Sequence, residues 1–357
     1  MILASLLGDF DSNILPLFFH YSEDMRIHIL LTDKTRSDQT HARKIQAGLQ
    51  RFCEHHDIKI ELLLMSYDED DIESITLLFE RIANLLETDE RLLLNSSDAL
   101  ATTQAVLQPL LLRQGGKLLA YDRFENTCNI FDGKTMRQEL VSPMTIDEHL
   151  MLKDIEYTFI DEASILERKE TVFEIMREGE RFNTFKTVFA QHKPLDGYSD
   201  ILELLHGVNK DKDQFYITGT LFEEYCYWLI QGLGFDDIKL GTIVTHGHDP
   251  DRTFHNEFDL LCIKENHLNI IECKFRNYVD GEEIVYKYDS VIDLLDADGK
   301  VMIVAVGGEK SHSKQGRQFR NGTKYRANES NIGIYQEKVL DPVKFRYKVQ
   351  EFFIRSI

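Results

Sequence analysis

The sequence NEFDLLCIKENHLNIIECK, residues 256–274, decides the fold of the C-terminal part of this 357-residue chain. Its two apolar runs flank a polar segment at Lys264–Leu268, a pattern that predicts two strands joined in a hairpin. Because side chains alternate between the faces of a strand, Glu272 and Lys274 are expected on the same face. The turn can bring Asp259 beside Glu272. Two carboxylates and a lysine are therefore expected to meet on one side of a sheet.

These residue types suit a metal site that acts on phosphate. Carboxylate oxygens favour Mg²⁺ or Mn²⁺, which usually keep several waters and bridge to phosphate. Such an ion polarises a phosphoryl oxygen and lowers the pKa of a bound water, and a nearby lysine can orient that water. Glu257 is expected on the same face as Asp259, where it is either an auxiliary acid or a surface charge. A bare Glu-x-Lys pair is usually a solvated salt bridge, so the hypothesis also needs acidic residues elsewhere.

An acidic helix precedes the hairpin. The stretch GTLFEE, residues 219–224, places Glu223 and Glu224 near the start of that helix. The elements predicted around the hairpin are, in order, a helix near 221–232, a strand near 238–244, and after the hairpin a helix near 285–296 and strands near 301–306 and 332–335. A glycine, a helix glutamate, an aspartate and then Glu-x-Lys is the order found in the PD-(D/E)XK nuclease core.

The segment from Gly219 to residue 335 resembles that superfamily in its Asn-Glu-x-Asp variant. The resemblance implies two metal ligands and a water-activating lysine, which are Asp259, Glu272 and Lys274. It also implies a catalytic helix glutamate, which is Glu223 or, because the helix register is open by one residue, Glu224. A His-x-His pair at His246 and His248, with His255 nearby, lacks a further ligand at fixed spacing, which favours an exposed loop.

The net charge of −20 argues at first against a nucleic-acid enzyme. Most of it lies in residues 1–205, whose net charge is −16, whereas residues 206–357 carry only −4. No acidic residue occurs from Ser311 to Asn328. The basic residues of this run, with Lys310 just before it, are Lys314, Arg317, Arg320, Lys324 and Arg326. The run is expected to bind phosphates, with Phe319 and Tyr325 stacking on unpaired bases, or else to be a basic loop without a fixed role.

Residues 1–140 alternate between short apolar runs and segments of helical spacing. The runs predicted as strands are 2–7, 27–31, 58–65, 91–94, 117–121 and 128–131, and the clearest predicted helices are 41–55 and 72–86. This alternation predicts an α/β domain with a mostly parallel sheet covered on both faces. Ligands of such sheets bind in the loops after the carboxyl ends of the strands.

Three of these loops are polar. Hydroxyls and amides there either form anion sites at helix N-termini or simply cap the helices. The candidate ligand-binding residues are Asp9, Thr32, Thr35, Asn95, Ser96, Ser97 and Thr102.

Residues 141–205 have a different sequence pattern from the segments on either side. Ser142-Pro143 is expected to end the preceding element, and the capping box Thr145–Glu148 predicts the start of a helix. Charged residues then alternate with apolar residues at helical spacing. The expected organisation is a nucleotide-sensing domain over 1–140, a helical connector over 141–205 and a nuclease domain over 206–357.

This order resembles the CRISPR ancillary nucleases, in which a Rossmann-like CARF (CRISPR-associated Rossmann fold) domain precedes a restriction-endonuclease-like domain. The resemblance includes the helix at 146–150. In that family two CARF domains pair to hold a cyclic oligoadenylate, which activates metal-dependent cleavage of DNA, RNA or both. It implies a homodimer, a ligand site at Asn95–Ser97, Mg²⁺ or Mn²⁺, and cyclic tetra-adenylate as the commonest activator. This chain differs from the family because no Gly-Gly-Thr-Lys follows Asn95–Ser97 and Asp98 adds a negative charge.

The expected function is a ligand-gated, metal-dependent nuclease of type III CRISPR antiviral defence. One alternative is a repair or restriction-type PD-(D/E)XK nuclease that no cyclic oligoadenylate gates. Another is a non-catalytic nucleotide-binding protein. Five scattered cysteines without a Cys-x-x-Cys pair fit a reducing cytoplasm, and no apolar run reaches the roughly 18 residues of a membrane span.

Overall fold

The protein forms two compact α/β units, Met1–Glu156 and Tyr157–Ile357, in a computed structural model. The structure describes residues 1–7, 13–34, 39–97, 101–208, 214–246, 254–275, 281–295, 299–306, 319 and 321–354. Each unit has its own sheet and its own apolar core. The predicted α/β class is therefore confirmed, while the assignment of functions to three segments stays a prediction.

The first unit alternates strands and helices as its sequence predicts. Its strands are β1 (Ile2–Leu6), β2 (Ile27–Asp33), β3 (Glu61–Tyr67), β4 (Leu92–Asn95), β5 (Lys117–Asp122), β6 (Thr127–Phe131) and β7 (Met136–Leu140). Its helices are α1 (Leu15–Tyr21), α2 (Gln39–His55), α3 (Ile72–Ala83), α4 (Ala101–Arg113) and α5 (Ile146–Leu152). The predicted capping box is present, since Thr145 and Glu148 bond to each other's backbone at the start of α5.

The strand order in the described part of this sheet is β3-β2-β1-β4-β5-β6-β7. The first five strands are parallel, and β6 and β7 continue the sheet antiparallel. Alternate residues feed two apolar cores, with Leu3 and Leu30 in one and Ile2 and Ile29 in the other. Both faces are thus covered, as expected for a parallel sheet.

The chain reverses its direction of strand addition at β1, which lies between β2 and β4. The carboxyl ends of these three parallel strands therefore lie at one edge of the sheet, the usual place for a ligand in this kind of fold. The three polar loops that the sequence singles out follow these strand ends. Residues 8–12, 35–38 and 98–100 of these loops, which include Asp9, Thr35 and Asp98, lie outside the described residues.

The second unit holds a mixed sheet. Its strands are β8 (Glu156–Ile160), β9 (Asp237–His246), β10 (Phe254–Lys264), β11 (His267–Phe275), β12 (Val301–Val306) and β13 (Ile332–Glu337). Its helices are α6 (Glu162–Leu166), α7 (Lys169–Arg177), α8 (Glu180–Ala190), α9 (Ser199–Val208), α10 (Leu221–Ile230), α11 (Gly281–Leu295), α12 (Asn321–Glu329) and α13 (Pro342–Val349), and π-helical turns occupy Tyr216–Thr220 and Gln350–Ile354.

The predicted hairpin is present and centres this sheet, whose described strand order is β13-β12-β11-β10-β9-β8. β10 pairs antiparallel with β11, and Lys264 lies opposite His267. The two residues between them, Glu265 and Asn266, have φ of +53° and +65°, as a two-residue type I′ turn requires. β12 and β13 then add in parallel, so that β11 joins an antiparallel half to a parallel half.

The predicted connector, residues 141–205, divides between the two units. α5 belongs to the first unit, and the apolar residues of α6 to α9 enter the core of the second unit. The sequence did not predict β8 or β7. Both are edge strands whose residues are mostly exposed, so they lack the apolar alternation that marks a strand.

No helix in the described residues is both long enough and apolar enough to cross a membrane. All five cysteines are buried free thiols.

Gly48 on α2 tests the packing of the first unit. A Cβ on Gly48 would overlap the carbonyl oxygen of Leu152 at the end of α5, so Gly48→Ala is expected to lower the free energy of unfolding by about 1–3 kcal/mol. Gly207→Ala on α9 is the control, because its nearest neighbour, a methyl group of Thr171, lies 4.0 Å away. That change should be neutral or stabilising, since alanine favours a helix by about 1 kcal/mol over glycine. Urea denaturation followed by circular dichroism measures both, and equal effects would contradict the prediction.

Candidate active site

The hairpin brings Asp259 and Glu272 together. Leu260 pairs with Ile271, which puts Asp259 directly across from Glu272. The backbone N–H of Cys273 donates a hydrogen bond of 2.6 Å to Oδ2 of Asp259. Asp259 is 9% exposed and Glu272 is 3% exposed, so two carboxylates lie almost out of water on adjacent strands.

Lys274 lies between these acids. Its Nζ is 3.7 Å from Oδ2 of Asp259 and forms an ion pair with Oε1 of Glu272. The other oxygen of Glu272 accepts a hydrogen bond from the hydroxyl of Tyr288 on α11. Glu272 is therefore held from both sides, by the lysine of its own strand and by a tyrosine that is fully buried.

Glu223 and Glu224 point to different places. Glu223 lines a cavity together with Asp259 and Lys274. Glu224 is fully buried and accepts a 3.0 Å hydrogen bond from Nε of Arg168, in a pair that includes a second guanidinium contact. Successive helical residues lie about 100° apart, so the two cannot face the same site. The structure brings Glu223 to the other acids and turns Glu224 away from them.

Glu257 is exposed and lines the same cavity. It lies two residues before Asp259 on β10, as the alternation of side chains predicts. Its position is compatible with either interpretation from the sequence, an auxiliary acid or a surface charge.

Burial and neighbouring charges change the pKa values of Asp259, Glu223 and Lys274. Burial raises the pKa of Asp259 well above its usual range, and the charges of Glu272 and Glu223 add to the effect. Burial also raises the pKa of Glu223 to about 7, with Lys274 opposing and Glu257 reinforcing the shift. Burial by itself would lower the pKa of Lys274, but the two acids beside it raise the value above the ordinary one. One lysine thus offsets only part of the negative charge.

This donor set fits a hard divalent cation. Among the described residues no group of three His, Cys, Asp or Glu side chains is arranged to hold an ion by itself. Mg²⁺ commonly needs only one or two carboxylates, and takes its remaining ligands from water and substrate phosphates. Asp259 and Glu272 supply two such carboxylates, in a place where excess negative charge is poorly solvated.

The cavity beside these residues has a volume of about 510 Å³. α8, the π-helical turn at Tyr216–Thr220, the start of α10 and the hairpin all contribute to its wall. The side chains that line it, besides the acids and Lys274, include Lys186, Thr187, Gln191, Phe215 and Thr218.

Sequence reasoning missed three residues of this region. Arg168 neutralises Glu224, Tyr288 holds Glu272, and Lys186 lies at the cavity wall. The signal for Lys186 is its spacing: it lies four residues after Phe182, on the apolar side of α8, where a lysine is unusual. Nothing in the local sequence distinguishes Arg168 from its charged neighbours.

Three of the seven candidate ligand residues of the first unit, Asn95, Ser96 and Ser97, form hydrogen bonds within the protein. Asn95 donates a 2.9 Å hydrogen bond to the backbone oxygen of Asn13 and accepts one of 2.7 Å from the hydroxyl of Ser97. Ser97 in turn accepts from the backbone N–H of Tyr121, at 2.9 Å. The Ser96 hydroxyl donates to a backbone oxygen of β5. These side chains fix the shape of the loop after β4.

The remaining candidate binding residues differ in how exposed they are. Thr32 is buried at the end of β2 and Thr102 is exposed on α4. Of the basic run, Lys324 and Arg326 are exposed on α12, where Arg326 lies 3.8 Å from the ring centroid of Tyr286 and 3.3 Å from Asp289. Some predicted residues lie outside the described part of the chain, namely Asp9, Thr35, His248, Lys310, Lys314, Arg317 and Arg320.

Residues 210–320 match the family model described as Card1-like, endonuclease domain. This segment is therefore similar to the endonuclease domain of that family. It spans Glu223, Asp259, Glu272 and Lys274, and it confirms the predicted enzyme class, a nuclease. Comparison of the sequence with curated proteins gives no significant match.

Solved structures resemble nearly the whole chain at 15% sequence identity. Protein VC1899 from Vibrio cholerae has a TM-score of 0.74, and the match covers 99% of this chain and 97% of that one. Can2 from Sulfobacillus thermosulfidooxidans, solved in complex with cyclic tetra-adenylate, has a TM-score of 0.69 with the same coverage. A type III CRISPR defence DNA nuclease activated by cyclic oligoadenylate has a TM-score of 0.54, covering 92% of this chain and 51% of that chain. The predicted fold and the resemblance to CARF-domain ancillary nucleases are confirmed.

The raised pKa of Glu223 predicts a pH-dependent stability in metal-free protein. The ordinary pKa is 4.5 and the folded value is about 7, so the folded state binds more protons between these values. Stability is expected to fall as pH rises from 4.5 to 7, by about 3 kcal/mol at most from this group. Asp259 acts in the same direction.

Urea unfolding in EDTA at pH 5 and pH 8 measures the effect. Glu223→Gln should reduce the difference between the two pH values without abolishing it, because Asp259 still contributes. Glu265→Gln in the hairpin turn is the control and should leave the difference unchanged. An unchanged difference in Glu223→Gln would contradict the assignment of the raised pKa.

Proposed function

We propose that this nuclease is metal-dependent and that a cyclic oligoadenylate, cyclic tetra-adenylate in the first instance, activates it in type III CRISPR antiviral defence. The observation that carries the catalytic part is the meeting of Asp259, Glu272 and Lys274 on one face of a hairpin, with Glu223 lining the same cavity. The ligand part is supported by two neighbours of similar fold, one bound to cyclic tetra-adenylate and one described as activated by cyclic oligoadenylate.

The residues divide the work of phosphodiester hydrolysis in this proposal. Asp259 and Glu272 hold Mg²⁺ or Mn²⁺, which supplies Lewis-acid chemistry and an activated water when bound. Lys274, already in contact with both acids, orients the attacking water and offsets charge that develops on the phosphate. Tyr288 fixes the orientation of Glu272 through its hydroxyl. Glu223, with its pKa of about 7, holds or releases a proton at neutral pH beside the other acids of the cavity.

The first unit is proposed as the sensor. Three strand-end loops at the reversal of strand order form the expected place for an anionic nucleotide. The side chains of Asn95, Ser96 and Ser97 form hydrogen bonds with other groups of the protein. Their role in the proposal is therefore to shape the ligand site. In this proposal residues 1–140 sense the ligand and residues 206–357 cleave, while the predicted connector 141–205 contributes α5 to the first unit and α6 to α9 to the core of the second.

The proposal includes a homodimer in which two sensor domains share one ring of ligand. It also includes DNA or RNA as substrate and a cytoplasmic location, which the five free buried thiols support. Static light scattering of the full chain, with and without cyclic tetra-adenylate, tests the dimer.

The central experiment is cleavage of single- and double-stranded DNA and RNA by the full chain, with Mn²⁺ or Mg²⁺, with and without cyclic tetra-adenylate. Cleavage that requires both the metal and the ligand supports the proposal. Cleavage that ignores the ligand would instead favour a repair or restriction-type nuclease. No cleavage under any condition would favour a nucleotide-binding protein without activity.

Removal of either metal ligand, or of the lysine beside them, is expected to abolish cleavage. Asp259→Asn, Glu272→Gln and Lys274→Ala should each lower the rate by at least about 10³-fold, because each removes charge from the reacting phosphate or water. Ligand binding, measured by isothermal titration calorimetry, should be unchanged. Asp237→Asn at the start of β9 is the control and should retain activity. Retained activity in Asp259→Asn would contradict the assignment of Asp259 as a metal ligand.

Loss of the hydrogen bonds formed by the Asn95 side chain is expected to weaken activation by the ligand. Asn95→Ala removes hydrogen bonds to Asn13 and Ser97, each of which ordinarily costs about 1–3 kcal/mol when the partner stays buried. The ligand concentration for half-maximal activation should rise by about 10-fold or more, while the rate at saturating ligand stays the same. Asn129→Ala on β6 serves as the comparison. A lower rate at saturation with unchanged half-maximal concentration would contradict the role given to Asn95.

A further inference from the structure

Three successive residues at the start of α10 contact three different parts of the second unit. The ring of Phe222 stacks on that of Phe275 at the end of β11, with the ring centroids 4.8 Å apart. Glu223 lines the cavity, and Glu224 is fully buried against Arg168. Because successive helical residues lie about 100° apart, the contacts of the two outer residues fix the rotation of α10 about its own axis. They therefore also fix the direction of Glu223 between them.

Arg168 holds Glu224 through both oxygens of the carboxylate. Its Nε donates a hydrogen bond of 3.0 Å to Oε2, and its Nη2 donates to Oε1. The hydroxyl of Tyr216, the first residue of the π-helical turn, also donates to Oε2, at 3.3 Å. The guanidinium lies 5.4 Å from the centroid of the Tyr216 ring. A planar guanidinium that binds both oxygens fixes the orientation of the carboxylate as well as its distance.

The residues that follow Arg168 extend this contact along α10. Nζ of Lys169 lies 4.5 Å from the ring centroid of Trp228, one helical turn further along α10. Phe173 packs edge-on against Tyr225, with the ring centroids 5.2 Å apart. The first half of α7 therefore contacts α10 at several points, and the contact of Arg168 is the one next to Glu223.

The two helices do not by themselves explain why an arginine and a glutamate occupy these positions. Arg168 is the N-cap residue of α7, yet its side chain makes no capping bond, and a cation is unfavourable at that end of a helix. Burial raises the pKa of Glu224 even though Arg168 and Tyr216 oppose the shift, so its partners do not fully offset the loss of water. Buried ion pairs can often be replaced by apolar residues without loss of stability. Orientation explains this pair better than stability does.

We infer that Arg168 and Glu224 are positioning residues, which orient α10 so that Glu223 points into the cavity. Neither is among the residues that line the cavity, so they act on the reaction only through Glu223. The inference rests on the proposed nuclease function and names the residues that orient its helix acid. It also gives Glu224 a role of its own, where the sequence leaves it as an alternative to Glu223.

The first test compares Arg168→Met with wild type in the full chain, with Mn²⁺, cyclic tetra-adenylate and the nucleic acid that wild type cuts fastest. The value of kcat should fall by about 10- to 100-fold, because a displacement of about 1 Å at a reacting group can cost about 10²-fold. KM should stay the same. Arg168→Lys keeps the charge without the two-pronged geometry and should fall between the two. A raised KM with unchanged kcat would contradict the inference.

Arg181→Met is the matched control. Arg181 also binds both oxygens of an acid, Asp200, and lies 5.8 Å from the ring centroid of Tyr198. This pair is exposed and joins α8 to α9, so its loss should leave kcat unchanged. A loss of kcat in Arg181→Met equal to that in Arg168→Met would show a general effect of removing an ion pair and overturn the inference.

The double variant Arg168→Met/Glu224→Leu separates orientation from stability. It replaces both partners by apolar side chains, a change that buried ion pairs commonly tolerate, so it should fold even if Arg168→Met alone does not. Urea unfolding followed by circular dichroism checks that it folds. Its kcat should fall as far as that of Arg168→Met. A folded double variant with the wild-type kcat would show that the pair serves packing only.

A double-mutant cycle with Glu223→Gln tests whether the pair acts through Glu223. If it does, adding Arg168→Met to Glu223→Gln lowers kcat no further than Glu223→Gln alone, because the group that the pair orients is already gone. Losses that multiply would mean that Arg168 acts by another route and would overturn the inference.

The proposed function and the positioning role fail in different ways. Wild-type protein that cuts no nucleic acid under any condition removes the proposed function, and the positioning role with it. Wild-type protein that cuts, with an Arg168→Met variant as active as wild type, leaves the nuclease in place and removes only the positioning role.

Discussion

The second unit depends on keeping several carboxylates close together and out of water. Asp259, Glu272 and Glu223 lie around one lysine, and the raised pKa values of Asp259 and Glu223 indicate that this lysine offsets only part of the negative charge. A central hairpin with helices packed against its sheet imposes this proximity. The sheet fixes two acids through strand register, and a helix brings the third. The crowding of negative charge lowers the stability of the site without metal and favours the binding of a cation. The same electrostatic arrangement therefore accounts for both properties.

Much of this could be predicted from the sequence because strand geometry has a strict period of two. Once a hairpin at residues 256–274 is assumed, the relative faces of Asp259, Glu272 and Lys274 follow. The helix acid could not be chosen in the same way, since Glu223 and Glu224 differ by one residue and the starting register was unknown. Arg168, which pairs with Glu224, lies 56 positions before it in the sequence, and such a distant partner leaves no local pattern.

Other differences between prediction and structure have related causes. β7 and β8 are edge strands, so they bury little and show no apolar alternation. Residues 141–205 read as a connector because their apolar spacing is helical, but the spacing does not reveal which core the helices join. The sequence predicts Asn95 at a strand end, as the structure has it, but composition alone does not reveal that Asn95 forms hydrogen bonds with Asn13 and Ser97.

The π-helical turn at Tyr216–Thr220 gives the chain one more residue than a regular helix would take before α10. Because the wider turn absorbs that residue, removing it would rewind the turn into an α-helix and leave the residues after it facing nearly the same way. A deletion within the regular winding of α10 is different, because it would rotate the residues on its two sides against each other by about 100°. Glu223 and the neighbouring Phe222, which stacks on Phe275, would then lose their positions. A relative shortened in the π-helical turn could therefore keep its third carboxylate, whereas one shortened within α10 would have to take it from another element.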